Sequence, residues 1–150
     1  MVADSYPRVA TDLLTPILDL LRLAREHCGG DVDKFLVILV VALRTTKHRD
    51  FAKHTPEQLI SGEVPVFPGL GTNARSIAAS LGIPNETVRR KVCALVDAGW
   101  FVRRRSSLHF TVKAYQQLAP VREQIERMAV INYEVVAALR SEASDNVRLD

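Results

Sequence analysis

Two clusters of hydrogen-bonding side chains lie close together in the second half of the chain. Asn85, Glu86, Thr87, Arg89 and Arg90 form the first, and Arg103, Arg104, Arg105 and Ser106 form the second, with Arg75 ahead of both. They do not make a catalytic set. The chain has no glycine-rich phosphate loop ending in Lys-Ser/Thr, no nucleophile elbow and no His-rich metal pattern, so no enzyme activity and no cofactor are expected. The types suit base edges and phosphates instead. Arginine can pair through two bonds with guanine O6 and N7, asparagine with adenine N6 and N7, and glutamate can accept from cytosine N4. Thr87 suits a phosphate or a thymine methyl. Glu86 has three available roles: reading a base, orienting Arg90 one helical turn on, or favouring a helix N-terminus.

The charge distribution fits that chemistry. The whole chain carries a net charge of +3, but Arg75 to Lys113 alone carries +6 and the remainder −3. Positive charge gathered in one segment is what a polyanion-binding surface needs; a solvated basic face is the plainer alternative.

The elements that must position these groups can be read from the apolar pattern. A first helix is predicted over Asn73–Leu81, capped by Thr72 or Asn73, with Ile77, Ala78 and Leu81 inward. Gly82 sits at a turn that needs positive φ, and Ile83 plugs the core. Pro84 and Asn85 open a second helix to Ala98, with Val88, Val92, Leu95 and Val96 behind and Asn85, Glu86, Arg89, Arg90, Cys93 and Asp97 in front. After Gly99, Trp100–Val102 starts a strand. Leu108, Phe110 and Val112 alternate on the return strand, and the turn falls at Arg105-Ser106-Ser107.

The stretch IAASLGIPNETVRRKVCALVDAGWFVR resembles the DNA-binding unit of winged helix-turn-helix transcription regulators, in its LG turn, its ETVRR helix start and its run into the hairpin. NETVRR is also similar to recognition helices of the catabolite-activator class. The overall order, with FTVKAYQQLAP leading from the hairpin into a long helix, is MarR-like in layout. The resemblance implies a mainly α fold, a winged helix-turn-helix with a three-helix core plus short β-hairpin, and flanking N- and C-terminal helices. It implies a homodimer on palindromic double-stranded DNA, with recognition helices about 34 Å apart. The 85–98 helix would enter the major groove, and the 103–107 wing would meet the backbone or minor groove. Two departures stand out: RRRSSLHF lacks the acidic residue and arginine pattern of a MarR-type wing, and the loop at 49–72 is long. The alternative is a winged helix used as a protein–protein interaction module without specific DNA binding.

Around this unit, one domain over 1–150 is expected from length. N-terminal helices occupy 11–48. The first, Thr11–His27, would begin regularly near Pro16 with Thr15 as cap. The second, Asp31–Lys47, is apolar nearly all round and belongs at the centre. The segment 49–72 reads as a long loop with a short helix from Thr55-Pro56 to Ile60. An unknown small-molecule effector would be sought where this loop meets the N-terminal helices. The 113–140 segment reads as a C-terminal dimerisation helix with a break at Ala119-Pro120. Leu118, Val121, Ile125, Met128, Val135 and Leu139 follow heptad steps with Asn132 in the vacant slot, suited to pairing two chains or to packing on the chain's own domain. Residues 1–10 and 141–150 read as tails.

Cys28 and Cys93 make neither a metal spacing nor a disulfide framework, which suits a reducing compartment. Cys93, flanked by arginines, is either a redox-sensitive thiol or simply a small residue. His48, Asp50 and His54 offer metal-binding types, but a basic patch with Lys47, Arg49 and Lys53 is the simpler reading. The N-terminus lacks a secretory pattern. The longest apolar run, Phe35–Leu43, has nine residues, against roughly 18 for a membrane span. A cytoplasmic protein with no membrane partner is therefore expected.

Overall fold

Asp31 opens the central helix as its position before an apolar run predicts. Its carboxylate accepts from the Lys34 amide at 2.9 Å, satisfying one of the free N–H groups at the start of α2 (Val32–Thr46). Phe35, Val37, Ile38 and Val41 of α2 are buried. The computed structural model describes residues 1–149. It is mainly helical, with α1 (Tyr6–His27) before α2. A short 3-10 turn (Phe51–Lys53) and α3 (Pro56–Ser61) follow. Next come α4 (Ala74–Leu81) and α5 (Asn85–Asp97), then an antiparallel hairpin of β1 (Phe101–Arg104) and β2 (Ser107–Phe110). The chain closes with α6 (Val112–Gln117) and α7 (Ala119–Leu149). Among the described residues no helix is long and apolar enough to cross a membrane.

Length alone predicts one domain, but the contacts gather into two compact units. One is His27–Ala119; the other combines Met1–Glu26 with the residues from Pro120 onward.

In the first unit, α2 packs on α4, α5 and β2. The 49–72 segment holds the expected short helix, and the irregular stretch after it is pinned to the fold. Thr55 and Gln58 cap α3 reciprocally. Residues beyond it then lie along β2: the Phe67 amide donates to the Phe110 carbonyl at 2.9 Å, the Val112 amide to Pro65 at 3.0 Å and the Leu108 amide to Thr72 at 2.9 Å. Phe67 is thereby carried into the core. Its ring lies 6.1 Å from Phe51, 6.2 Å from Phe110 and 5.5 Å from Tyr115. Arg44, near the end of α2, fixes the last part of this segment through its guanidinium, which donates to the carbonyls of Gly71 (2.9 Å) and Leu70 (3.2 Å).

In the second unit, α1 starts at Tyr6, ahead of the expected Thr11, and runs straight through Pro16, which is buried inside it. Thr15 does not cap the helix; its hydroxyl donates to the Thr11 carbonyl at 2.7 Å. Proline removes one helical N–H, yet the packing of the surrounding turns keeps the helix continuous. The Gln124 side chain donates to the Pro16 carbonyl at 3.3 Å, and Arg8 pairs with Glu142 at 2.7 Å, so the first turn and the middle of α1 are tied to α7. α7 begins at the expected Ala119-Pro120 break, but the tail expected from Ser141 is its final turns; Asp150 lies outside the described residues. Val121, Val135 and Leu139 of the heptad are buried within the chain, whereas Ile125 and Asn132 are exposed. Exposed apolar residues of this unit lie on both helices: Leu14, Ile17, Leu18 and Leu21 form a row on α1, and Ile125, Val130 and Tyr133 are scattered along α7.

Candidate nucleic-acid interface

The turn between α4 and α5 is set by local chemistry. Asn73 caps α4 by accepting from the Ser76 amide at 2.9 Å. Gly82 closes it in the left-handed region at φ 67°, where a side chain is strained. Pro84 then leads into α5. Val88, Val92 and Leu95 are fully buried behind that helix. Asn85, Glu86, Arg89 and Arg90 are exposed in front, with Thr87 half-buried beside them.

Within this front row the charges are unequally committed. Arg89 grips Glu86 through two parallel bonds, Nε to Oε2 at 2.9 Å and a terminal nitrogen to Oε1 at 2.7 Å. Of the three roles open to Glu86, a bond orienting Arg90 is not the one formed: the fork goes to Arg89, and Arg90 acts on Glu86 through its charge alone. The Arg89 bond, with the charges of Arg89 and Arg90, outweighs desolvation and holds the Glu86 carboxyl below the usual range, and the same bond raises the Arg89 guanidinium. Arg90 makes no hydrogen bond or ion pair among the described residues and is fully available to a ligand.

Two further cations of the basic segment are bonded within the chain. Lys91 is paired with Asp31 and joins α5 to the cap of α2. Partial burial would raise the Asp31 carboxyl, but the hydrogen bonds from Lys91 and from the Lys34 amide, with both lysine charges, hold it below its ordinary value. Lys113 donates to the Ala98 carbonyl at 2.7 Å and closes the C-terminal end of α5.

The hairpin supplies the second cluster. Its register ends on Arg104 opposite Ser107, so Arg105 and Ser106 form the turn. Arg105 adopts φ 57°, the one positive-φ position among the described residues not held by glycine. Two-residue hairpin turns want that conformation but normally fill it with Gly, Asn or Asp. Arg103, Arg104, Arg105 and Ser106 are all exposed. Arg103 lies against α5, its guanidinium 3.6 Å from the Cys93 sulfur. The hairpin base is pinned by Thr111, whose hydroxyl donates to the Gly99 carbonyl at 2.7 Å.

Arg75 is exposed on α4. The next residue, Ser76, shares a cleft of about 470 Å³ with Ser106 and Ser107 of the hairpin tip and with Arg44, Thr72 and Ser80. Arg44, Ser76, Ser80 and Ser107 are absent from the candidate groups that the sequence points to. Nothing local marks them; they meet only through the fold. The remaining candidate groups stay local. His48 lies 3.8 Å from the Asp50 carboxylate, and the His54 ring lies 3.3 Å from the Phe51 carbonyl. Among the described residues no group of three or more His, Cys, Asp or Glu side chains is gathered as for a metal. Both cysteines are free, and burial pushes the Cys28 thiol up.

Comparison with protein-family models, with curated proteins and with solved structures returned no match to this chain.

Proposed function

We propose that this chain is a winged helix-turn-helix DNA-binding transcription regulator, MarR-like in layout, acting as a homodimer on double-stranded DNA. α5 is its recognition helix and the β1–β2 hairpin its wing. The observation that carries the reading is the two-sided character of α5. Val88, Val92 and Leu95 anchor its back to the core. Asn85, Arg89 and Arg90 are exposed in front of it, and the hairpin adds Arg104 and Arg105, which make no hydrogen bond or ion pair among the described residues. A helix that inserts its first turns into a major groove needs this division.

The test is a selection of bound genomic fragments by the purified protein and by an Arg89→Ala/Arg90→Ala variant. The wild type should enrich a palindrome and the variant should lose it, at about 1–3 kcal/mol for each good two-bond base contact. Enrichment of the same sites by both proteins overturns the assignment of α5.

Pairing of two copies is supported by the row Leu14, Ile17, Leu18 and Leu21 on α1. Its spacing is the same read from either end, so in a two-fold antiparallel contact Leu14 would meet Leu21 and Ile17 would meet Leu18 of the second copy. Leu18→Glu should halve the particle mass measured by light scattering; an unchanged mass removes α1 from the interface.

One observation favours the protein-binding alternative: Glu86 already neutralises Arg89 on the exposed face. Salt dependence separates the two readings. Phosphate contacts make DNA affinity fall linearly with salt on logarithmic axes, whereas absence of DNA binding at low salt supports a protein partner.

A further inference from the structure

The cleft between α2, α4 and the hairpin tip belongs to neither the base-reading row of α5 nor the arginines of the wing. From the arrangement of its walls we infer that it is a phosphate-binding site. Arg44 lies in its wall, together with the hydroxyl-bearing residues Thr72, Ser76, Ser80, Ser106 and Ser107. These come from separate parts of the chain: the end of α2, the segment before α4, α4 itself and the hairpin. Among the described residues no carboxylate lines the cleft. Arg44 commits one Nε–H and one terminal N–H to the carbonyls of Gly71 and Leu70. The rest of its fork of donors remains for a ligand. Those two bonds also hold the guanidinium in place, so little side-chain freedom is lost when an anion binds.

The chemistry selects the ligand. A guanidinium beside several hydroxyls, with no acidic group to repel an anion, matches the tetrahedral oxygens of a phosphate. An apolar ligand finds little to bury against here, and an organic cation finds no counter-charge. The close fit of the walls is itself maintained. Gly71, at φ 76°, lies so near Ser107 that a side chain there would bring its Cβ to 2.8 Å from the Ser107 hydroxyl. Glycine thus lets the segment before α4 and the hairpin meet.

The phosphate has two possible sources, a phosphodiester of the DNA backbone or a free phosphorylated molecule. The first rests on the DNA-binding reading above; the phosphate site itself does not. Ser106 is exposed at the wing tip, so a strand lying against the wing passes the mouth of the cleft.

The experiment uses the full chain and two variants, Ser76→Glu and Ser80→Glu, each putting a carboxylate into the cleft. Ser76 is the third residue of α4 and its amide is bonded by the Asn73 cap. A glutamate there completes a capping box, so this variant retains its fold. Amide spectra are recorded with inorganic phosphate and with pyrophosphate, against acetate at equal ionic strength. Binding of a non-specific duplex is measured in parallel across a salt series.

The expected result is phosphate-dependent shifts at Thr72–Ser76 and Ser106–Ser107, absent in both variants, with a DNA salt slope lowered by about one unit. Shifts lost in the variants with the DNA slope unchanged keep the phosphate site but assign it to a free phosphorylated molecule. A lowered slope without shifts assigns it to the DNA backbone alone. Unchanged spectra together with an unchanged slope overturn the inference. If the wild type binds no DNA at all, the DNA reading fails, and the phosphate titration still decides the cleft.

Discussion

Glu86 and Arg89 form a two-bond ion pair on the exposed face of α5, at 2.7 and 2.9 Å. On the proposed DNA-binding face, an acidic residue weakens general attraction to a polyanion and sets the geometry of its partner. Glu86→Gln should therefore release Arg89. Non-specific duplex binding should tighten, with a salt slope steeper by about one unit, while the preference for the selected site over random sequence falls. Fluorescence anisotropy on both duplexes checks this. Looser binding to random DNA would mean that the pair pre-orients Arg89 for phosphates.

Arg105 holds a left-handed conformation that costs a residue with a side chain about 1–2 kcal/mol. Strain of this kind is often kept for function. Arg105→Gly should raise thermal stability, by about 1 kcal/mol after glycine's extra freedom in the unfolded chain is set against it. It should weaken duplex binding at the same time. A variant that gains stability with no loss of DNA affinity would assign the arginine no part in binding.

Asp31 joins two duties, capping α2 and pairing with Lys91. Asparagine caps as well as aspartate, so Asp31→Asn isolates the pair. The loss at neutral pH should be about 1 kcal/mol, reduced from a buried pair because Asp31 remains about one-third exposed. The sign with pH follows from the lowered carboxyl. The stabilisation is fully present above the unfolded value near 3.9 and disappears as pH falls through the lower folded value. Urea midpoints of wild type and Asp31→Asn should converge in acid; a constant gap down to the lowest pH would show that the ion pair contributes nothing.

Phe67 tests the role of the 49–72 segment. It is buried at 1% exposure and touches three other aromatic rings. Phe67→Ala should cost about 3–5 kcal/mol, as read by chemical denaturation. A loss below 1 kcal/mol would restore the picture of an open loop.

The parts of the molecule governed by neighbours in sequence were legible in advance. Asp31, Asn73 and Gly82 act through residues three or four positions away, so caps and turn follow from residue type. The back row of α5 follows from its period. Phe67 was missed because Pro65, Pro68, Gly69 and Gly71 carry the punctuation of a loop, and the bonds that lay this stretch on β2 join residues far apart in the chain. The heptad of α7 shows why period alone does not name a partner: Val135 and Leu139 are covered within the chain, and the uncovered row is on α1. Glu86 faces both Arg89 and Arg90 along one helix side, and only the fork geometry separates them.

With residues laid along β2, the backbone edge of the two-stranded sheet that stays open among the described residues is on β1. That edge carries Arg103 and Arg104, both exposed. Like charges on a bare strand edge oppose its addition to the same edge of another molecule. These arginines are thus gatekeepers against aggregation as well as candidate ligand contacts. Replacing them by alanine removes both properties together, so insolubility could pass for lost binding. Exchange for glutamate keeps the edge repulsive and separates the two.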